Sequence, residues 1–380
     1  MKSYKSGQYI KQGSYKSFQP EKICREWQIE NMELLNLLSQ ADRQLGRLDM
    51  YSEYIPNIDL FISMHVLKEA TQSSKIEGTK TNIEEALLDK EDVSEENRDD
   101  WEEVQNYISA LNTAIAKLED LPFSSRLIKQ THKILLSGVR GKHKLPGEFR
   151  TSQNWIGGAS IADATFIPPT HASINEYMGD LENFAHNQEY YFPELLKIAL
   201  IQYQFETIHP FLDGNGRIGR LMITLYLVEK GILKKPILYL SDFFERNRTL
   251  YYDNLMRVRE KNDITQWFKF FLVGVIETAK NSISTFDNIL KLQQDIETRL
   301  QSLGSRSANA NTIVRELFQH PIIHAQKAKE ITGLSLPSVY RLLEGMEGLK
   351  ILHEVTGGKR GKIYFFRDYI NLFSNKEDHD

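Results

Sequence analysis

The chain has very little cysteine and no long apolar run, and each absence limits what it can be. Its 380 residues include one cysteine, Cys24, which excludes an internal disulfide and a thiolate zinc site and fits a reducing compartment. No apolar stretch reaches the ~20 residues that span a bilayer. The basic N-terminus, MKSYKSGQYIKQGSYKS, has no apolar segment behind it and does not resemble a secretory signal. We therefore expect a cytoplasmic chain without a membrane partner.

Charge of one sign is also lacking. The formal net charge is -4, from 47 Lys and Arg against 51 Asp and Glu. This balance excludes a uniformly basic nucleic-acid-binding surface, although it permits a local basic patch. Hydrophobic residues make up 41% and charged residues 26%, as in ordinary globular proteins. The length predicts two or three domains.

Helical periodicity dominates the chain and predicts a mainly α fold. The first 20 residues are polar and expected to be extended, and helical spacing begins at Pro20. Residues 150–169 mix β-branched and aromatic residues with Gly-Gly and Pro-Pro, which is typical of a hairpin or flap. The small, polar segment 302–311 predicts a linker. We expect four regions: an N-terminal helical region (1–110, with a helix near 60–78), a core (111–285), a helix and linker (286–310) and a C-terminal unit (311–380).

One short segment concentrates groups that suit phosphate chemistry. HPFLDGNGRIGR, residues 209–220, lies between two apolar helices expected at 193–208 and 217–230. A helix N-terminus offers unpaired N–H groups and partial positive charge to an anion. Gly214 and Gly216 have no Cβ and let phosphate oxygens approach the backbone. Arg217 and Arg220 share one helical face, and their guanidinium groups match phosphate oxygens.

Three further side chains extend this interpretation. The His209 imidazole, with an ordinary pKa of about 6.5, suits a general base. The Asp213 carboxylate suits Mg²⁺, which binds through one or two carboxylates plus phosphate oxygens and waters. Asn215 adds a neutral donor. Each feature is common by itself, but their combination between two apolar helices favours a nucleotide phosphate site.

HPFLDGNGRIGR resembles the signature of the Fic family, H-x-F-x-D/E-G-N-G-R-x-x-R, at every fixed position. Phe211 corresponds to the buried aromatic residue of that signature. Other segments extend the resemblance to about residue 280, including LPGEFRTSQNWIGG and FIPP as the flap region and NRTLYYDNL as the segment near the nucleoside. The resemblance implies a Fic-type helical bundle with a small β-hairpin flap.

The resemblance also implies a protein adenylyltransferase that moves AMP from ATP to a Ser, Thr or Tyr hydroxyl on a target protein, which is either another protein or the chain itself. His209 would deprotonate that hydroxyl, and Asp213 would hold Mg²⁺. Tyr252, beside Tyr251, would line the nucleoside pocket, or both would be core aromatics. The residues implied in binding the phosphates of ATP are Gly214, Asn215, Gly216, Arg217 and Arg220. The sequence also leaves open whether the chain forms a homodimer.

A second segment, SSKIEG, places Glu77 in the last turn of the helix that begins near Asp59. A carboxylate there faces the negative end of the helix dipole and is stabilised by a cationic partner. In an arbitrary protein Glu77 would be a solvated side chain. However, Ser73 and Glu77 fit the inhibitory pattern of the family, S/T-x-x-x-E-G/N. This resemblance implies that Glu77 pairs with Arg220, prevents productive ATP binding, and in some relatives helps to remove AMP.

The C-terminal residues 311–373 predict a winged helix-turn-helix. The helix after Pro337 would enter a DNA major groove, and the turn GGKRGK, with Lys359, Arg360 and Lys362, would contact phosphate. Alternatively, the unit docks a protein or dimerises the chain. The competing function is therefore a DNA-binding transcriptional regulator that uses the Fic core as a nucleotide sensor.

Overall fold

The computed structural model describes residues 4–55, 58–138, 141, 143–358 and 361–374, and the described chain is mainly helical, as expected. The helices are α1 (Met32–Tyr54), α2 (Ile58–Glu77), α3 (Ile83–Leu87), α4 (Arg98–Lys117), α5 (Ser125–Leu135), α6 (Ile174–His186), α7 (Glu194–Ile208), α8 (Asn215–Glu229), α9 (Ser241–Arg246), α10 (Arg248–Lys261), α11 (Ile264–Leu300), α12 (Ser307–Leu317), α13 (Ala325–Thr332), α14 (Leu336–Gly348) and α15 (Arg367–Ile370). The strands are β1 (Gly7–Gln12), β2 (Tyr15–Pro20), β3 (Ile322–His324), β4 (His353–Glu354) and β5 (Ile363–Phe365). No described helix has both the length and the apolar character to cross a membrane.

Helices α7 and α8 form the centre of the core. Every residue of α7 from Leu195 to Ile208 is buried, as expected for a helix that is covered on all sides. Helices α1, α6 and α11 pack against α7, while α2, α4 and α5 pack against α8. Trp267 of α11 donates its indole N–H to the Ala199 carbonyl over 2.8 Å. The short loop between α7 and α8 is therefore held in place by two helices that are packed on several sides.

Helix α2 contacts α8 and, through other side chains, the C-terminal unit. Phe61 packs edge-on against Phe318, with ring centroids 5.5 Å apart. Ser63 donates its hydroxyl to the Gln319 carbonyl over 3.1 Å. The His65 ring lies 5.0 Å from that of Phe373. Burial lowers the pKa of His65 to about 3, so this contact is made by a neutral ring at neutral pH.

The described part of the C-terminal unit has four helices and a small antiparallel sheet. Its elements follow the order α12, β3, α13, α14, β4, β5, α15, and β5 lies between β3 and β4. Helix α14 buries one apolar face, formed by Val339, Leu342, Leu343 and Met346. The winged helix-turn-helix assignment stays a prediction, and Lys359 and Arg360 of the expected wing tip lie outside the described residues.

The N-terminal segment is extended, as the sequence predicts, but its pairing into a hairpin was not predicted. Strands β1 and β2 form an antiparallel hairpin that turns at Gly13 (φ 59°). Phe18 is buried, and its backbone N–H donates to the Ile167 carbonyl over 2.8 Å. The hairpin is thus stabilised by a segment distant in sequence, which local polarity does not reveal. Helix α1 begins at Met32 rather than near Pro20, because Asn31 caps it by accepting from the Leu34 N–H.

The linker expected at 302–311 is helical instead. A 3-10 turn at Gln301–Arg306 follows α11 directly and leads into α12. The chain bends at Gly304 (φ 59°, ψ -126°). Small polar residues therefore mark a kink between two helices here, since glycine is permitted at positive φ.

The flap segment is a hairpin joined by a single bridge. Ile156 and Phe166 exchange two backbone hydrogen bonds of 2.8 and 3.1 Å. Gly158 has φ 72°, and a Cβ there would lie 2.5 Å from the Asp163 carbonyl oxygen. The tight turn therefore requires glycine at this position.

We predict that Phe61→Ala lowers the free energy of unfolding by about 3–5 kcal/mol, because it removes a buried ring between α2 and the C-terminal unit. Chemical denaturation would measure the change. Leu250→Ala is the control, since Leu250 is 54% exposed and its truncation should change stability by less than about 0.5 kcal/mol. Equal stability of the Phe61 variant and the control would contradict the packing described here.

Candidate active site

His209 ends α7 in a left-handed conformation (φ 50°, ψ 60°), which is uncommon for a residue other than glycine. Its backbone N–H donates to the Phe205 carbonyl over 2.9 Å. Among the described residues, no hydrogen-bond partner reaches its Nδ1. Burial, with smaller contributions from Arg259 and Arg150, lowers the pKa of His209 to about 4. The imidazole is therefore neutral at pH 7 and able to accept a proton.

The glycine loop between α7 and α8 ends at Gly214, which precedes α8 in the left-handed conformation (φ 76°, ψ 5°). The side-chain oxygen of Asn215 accepts from the Phe211 N–H over 2.8 Å, and its nitrogen donates to the Phe211 carbonyl over 2.9 Å. The expected side-chain donor to phosphate is thus engaged in closing the loop. The backbone N–H groups of the first α8 turn, at Asn215 and Gly216, remain as the anion-binding element.

His132 of α5 contacts this loop and stabilises it. Its Nε2 donates to the Asp213 carbonyl over 3.0 Å, and its Nδ1 accepts from the Gly147 N–H over 2.9 Å. The ring stacks on Phe211 at 3.7 Å with an interplanar angle of 9°. Burial lowers the pKa of His132 to about 4, so the neutral ring can make both hydrogen bonds. Sequence analysis missed His132, because the only signal was a lone histidine in an amphipathic helix.

Arg150 supports the loop from the flap side. The guanidinium Nε donates to the His209 carbonyl over 2.9 Å, and Nη2 donates to the Pro169 carbonyl over 2.6 Å. Burial lowers the pKa of Arg150 to about 10, which still leaves it charged at neutral pH. Asn154 adds a 2.9 Å hydrogen bond to the Phe211 carbonyl. Neither role was visible in the sequence, where both residues appeared only as part of the flap.

Arg220 is bound by α2 through three hydrogen bonds. Its Nε donates to the Ser73 hydroxyl over 2.9 Å, and Nη2 donates to the Ser73 carbonyl over 2.8 Å and to Glu77 Oε1 over 2.7 Å. The Arg220 side chain is 1% exposed and that of Glu77 is 35% exposed. Burial alone would raise the pKa of Glu77, but the charge and hydrogen bond of Arg220 outweigh it and lower that pKa. The structure therefore brings together Ser73, Glu77 and Arg220 as an ionised cluster.

The Glu77 carboxylate also lies against the N-terminal turn of α8. A Cβ built at Gly216 would lie 2.3 Å from Glu77 Oε1 and 3.0 Å from Arg220 Nη1. Only glycine permits so close an approach. The unfavourable effect of the negative end of the α2 dipole on the Glu77 carboxylate is thus offset by the positive end of the α8 dipole and by a buried guanidinium.

Arg217 is paired as well, which the sequence did not predict. Its Nη1 donates to Glu103 Oε2 of α4 over 2.9 Å, and its Nη2 lies 3.5 Å from Asp213 Oδ1. The Arg217 side chain is 5% exposed. Both guanidinium groups expected to bind phosphate are therefore engaged by carboxylates.

The Fic/DOC family N-terminal profile matches residues 35–116, and the Fic/DOC family profile matches residues 122–227, which include the glycine loop. The chain belongs to the Fic/DOC family.

Two curated relatives match parts of this Fic chain. It is 31% identical over 125 residues to the "Protein adenylyltransferase Fic" of Aedes aegypti, covering 33% of this chain and 22% of that protein. It is 25% identical over 218 residues to a probable protein adenylyltransferase of Aquifex aeolicus, covering 55% and 59%. The chain thus spans less than two thirds of the length of these relatives.

Solved structures agree with the Fic fold. A Fic family protein from Desulfovibrio desulfuricans superposes with a TM-score of 0.56 at 18% identity, covering 90% of this chain and 98% of that one. A Fic domain containing signaling protein from Bacteroides thetaiotaomicron has a TM-score of 0.53 at 18% identity, covering 65% and 95%. At these identities the likeness shows the fold alone.

The two adjacent tyrosines of α10, Tyr251 and Tyr252, differ in exposure. Tyr251 is 1% exposed and accepts a 2.8 Å hydrogen bond from Gln202, so it belongs to the core. Tyr252 is 40% exposed. Tyr252 is therefore the tyrosine of this pair that a nucleoside could contact.

Asp213 has the exposure that a metal ligand needs. Its side chain is 45% exposed, and Oδ1 accepts from the Gly214 N–H over 2.6 Å. One accessible carboxylate beside an anion-binding helix N-terminus fits Mg²⁺, which is commonly held between a carboxylate and phosphate oxygens.

We predict that the His209 ring does not titrate between pH 8 and about pH 5, because its pKa is lowered to about 4. NMR of the histidine ring protons, with His209→Ala to assign the signal, would measure this pKa. Because the proton-free form is the base, the activity of an uninhibited variant should stay constant from about pH 8 to 6. A His209 signal with a midpoint near 6.5 would contradict the buried, neutral ring described here.

Proposed function

We propose that this chain is a protein adenylyltransferase that transfers AMP from ATP to a Ser, Thr or Tyr hydroxyl of a target protein, and that Glu77 inhibits it. The observation that carries the proposal is the ionised Glu77–Arg220 pair at the N-terminus of α8, one short loop away from the neutral His209. The adenylyltransferase names of the curated relatives support the same reaction.

The proposed reaction uses His209 as the general base. The imidazole takes the proton of the target hydroxyl, and the oxygen attacks the α-phosphorus of ATP. The bond between the α-phosphorus and its bridging oxygen breaks, so that pyrophosphate leaves and AMP stays on the target. Hydrogen bonds from His132 and Arg150 fix the loop that carries His209 and Asp213. Positioning and charge stabilisation would supply most of the rate enhancement.

The phosphates of ATP would be bound by the first turn of α8 and by the side chains of Arg217 and Arg220. Backbone N–H groups at Asn215 and Gly216 offer donors and the positive end of a helix dipole. Arg220 and Arg217 supply guanidinium groups once their carboxylate partners are displaced. Mg²⁺ held by Asp213 would neutralise charge on the phosphate oxygens.

Inhibition by Glu77 follows from competition between two anions. The Glu77 carboxylate lies within van der Waals distance of the first α8 turn at Gly216 and is hydrogen-bonded to Arg220. A terminal phosphate of ATP carries the same sign of charge and needs the same guanidinium. While Glu77 stays in place, ATP is expected to bind without correct alignment of its α-phosphate.

We predict that Glu77→Gly raises transfer of label from α-labelled ATP to protein by about tenfold or more, the usual scale of coupling between sites. Incubation with Mg²⁺ and a cell lysate, followed by gel detection, would measure both self-modification and targets. Lys75→Gly is the matched control, because Lys75 is exposed in the same last turn of α2. This control weakens the helix end equally but keeps the Glu77–Arg220 pair.

His209→Ala in the Glu77→Gly background should abolish the transfer. Returning the labelled product to wild-type protein would show whether the same site also removes AMP. No increase in Glu77→Gly over Lys75→Gly would contradict inhibition by Glu77. Transfer that survives the loss of His209 would contradict the proposed base.

The alternative function, a DNA-binding regulator, is favoured by one feature of the C-terminal unit. Helices α13 and α14 are joined through Gly333 in the left-handed conformation (φ 69°), and α14 exposes Arg341. A gel-shift with DNA from upstream of the coding region, with and without ATP, would test it. Binding that falls with added salt and is weaker in Arg341→Ala would support this function. Label transfer without any gel shift would support the adenylyltransferase function and contradict the DNA-binding regulator.

A further inference from the structure

A second group of metal-binding side chains lies outside the Fic active site, where the segment after α3 meets the C-terminal unit. Asp89 and Asp92 bound a 3-10 turn at Lys90–Asp92, and His324 is the last residue of β3. One donor atom from each of the three side chains lies within 4.8 Å of the others. Asp89 Oδ2 is 3.7 Å from His324 Nε2. Residues far apart in sequence thus place two carboxylates and one imidazole together.

The two carboxylates repel each other in this arrangement. Neighbouring lysines make their ion pairs elsewhere: Lys90 pairs with Glu102, and Lys327 lies 3.7 Å from Glu316. A divalent cation between Asp89 and Asp92 would convert that repulsion into attraction and would be bound by the imidazole as well.

A cavity of about 320 Å³ adjoins the cluster. Asp89 and His324 line it together with Glu316, His320 and apolar residues such as Leu88 and Ile322. The cavity has room for a hydrated cation, and His320 offers a further donor, whereas Glu316 is paired with Lys327, which also lines the cavity. The cluster is therefore accessible from solvent and has space for an ion beside it.

We propose that Asp89, Asp92 and His324 bind a divalent transition-metal ion of the zinc type. An imidazole nitrogen with two carboxylate oxygens suits zinc and its neighbours, whereas Mg²⁺ and Ca²⁺ favour oxygen donors alone. The ion links the segment that follows α2 and α3 to the C-terminal unit. Because it joins residues 89 and 324, it stabilises the contact between these two parts of the chain.

Zinc titration of the full-length, untagged chain tests this site. We expect one zinc ion per chain by calorimetry in the presence of a weak competing chelator, and a rise in Tm on adding zinc. His324→Ala and the double variant Asp89→Asn, Asp92→Asn should each weaken binding by at least about tenfold and abolish the rise in Tm. Mg²⁺ at the same concentration should not reproduce it.

Two controls make the result specific. His171→Ala removes an exposed histidine in another 3-10 turn and should leave zinc binding unchanged. Asp213→Asn removes the carboxylate of the Fic site and should also leave it unchanged, which separates the two sites. Tm values measured without metal show that the variants fold. A wild-type chain without a stoichiometric zinc site, or equal affinity in His324→Ala, overturns the proposal.

Discussion

The salt bridge between Glu77 and the buried Arg220 is the interaction on which the proposed regulation depends. A guanidinium that is 1% exposed needs a compensating charge, because an unpaired buried charge is strongly unfavourable. Helix α2 supplies this charge through Glu77, and Ser73 accepts two further hydrogen bonds from Arg220. The position of α2 and the pairing of Arg220 are therefore coupled: a movement of α2 would release the guanidinium that we propose binds the terminal phosphate of ATP.

That coupling reaches the far end of the molecule through packing. The helix that carries Glu77 also packs Phe61 against Phe318 and His65 against Phe373. A change in the C-terminal unit would therefore be transmitted to α2 by contacts between rigid elements rather than by a flexible linker. The 3-10 turn at Gln301–Arg306 also joins α11 to α12 without a loose connection.

Much of this could be predicted from the sequence, and the failures have a common cause. The twelve-residue motif was predictable because it is a local pattern, and the Glu77–Arg220 pair was implied by the resemblance of SSKIEG to the inhibitory pattern of the family. The extended conformation of the N-terminal segment was predicted, but its pairing into the β1–β2 hairpin was missed, because Phe18 hydrogen-bonds to Ile167, which is far away in sequence. His132 and Arg150 were missed because their roles consist of hydrogen bonds to distant carbonyls. Asn215 resembled a ligand donor, yet its amide closes its own loop.

A crystal structure of the Glu77→Gly variant with a non-hydrolysable ATP analogue and Mg²⁺ would test the central claim most directly. We expect the terminal phosphate to take the place of the Glu77 carboxylate, within hydrogen-bond distance of the Arg220 guanidinium and above the first turn of α8. In the wild-type chain, Arg220 should remain bound to Glu77 and the terminal phosphate should lie elsewhere. Phosphates that bind identically in both chains, away from Arg220, would contradict competition between the carboxylate and ATP.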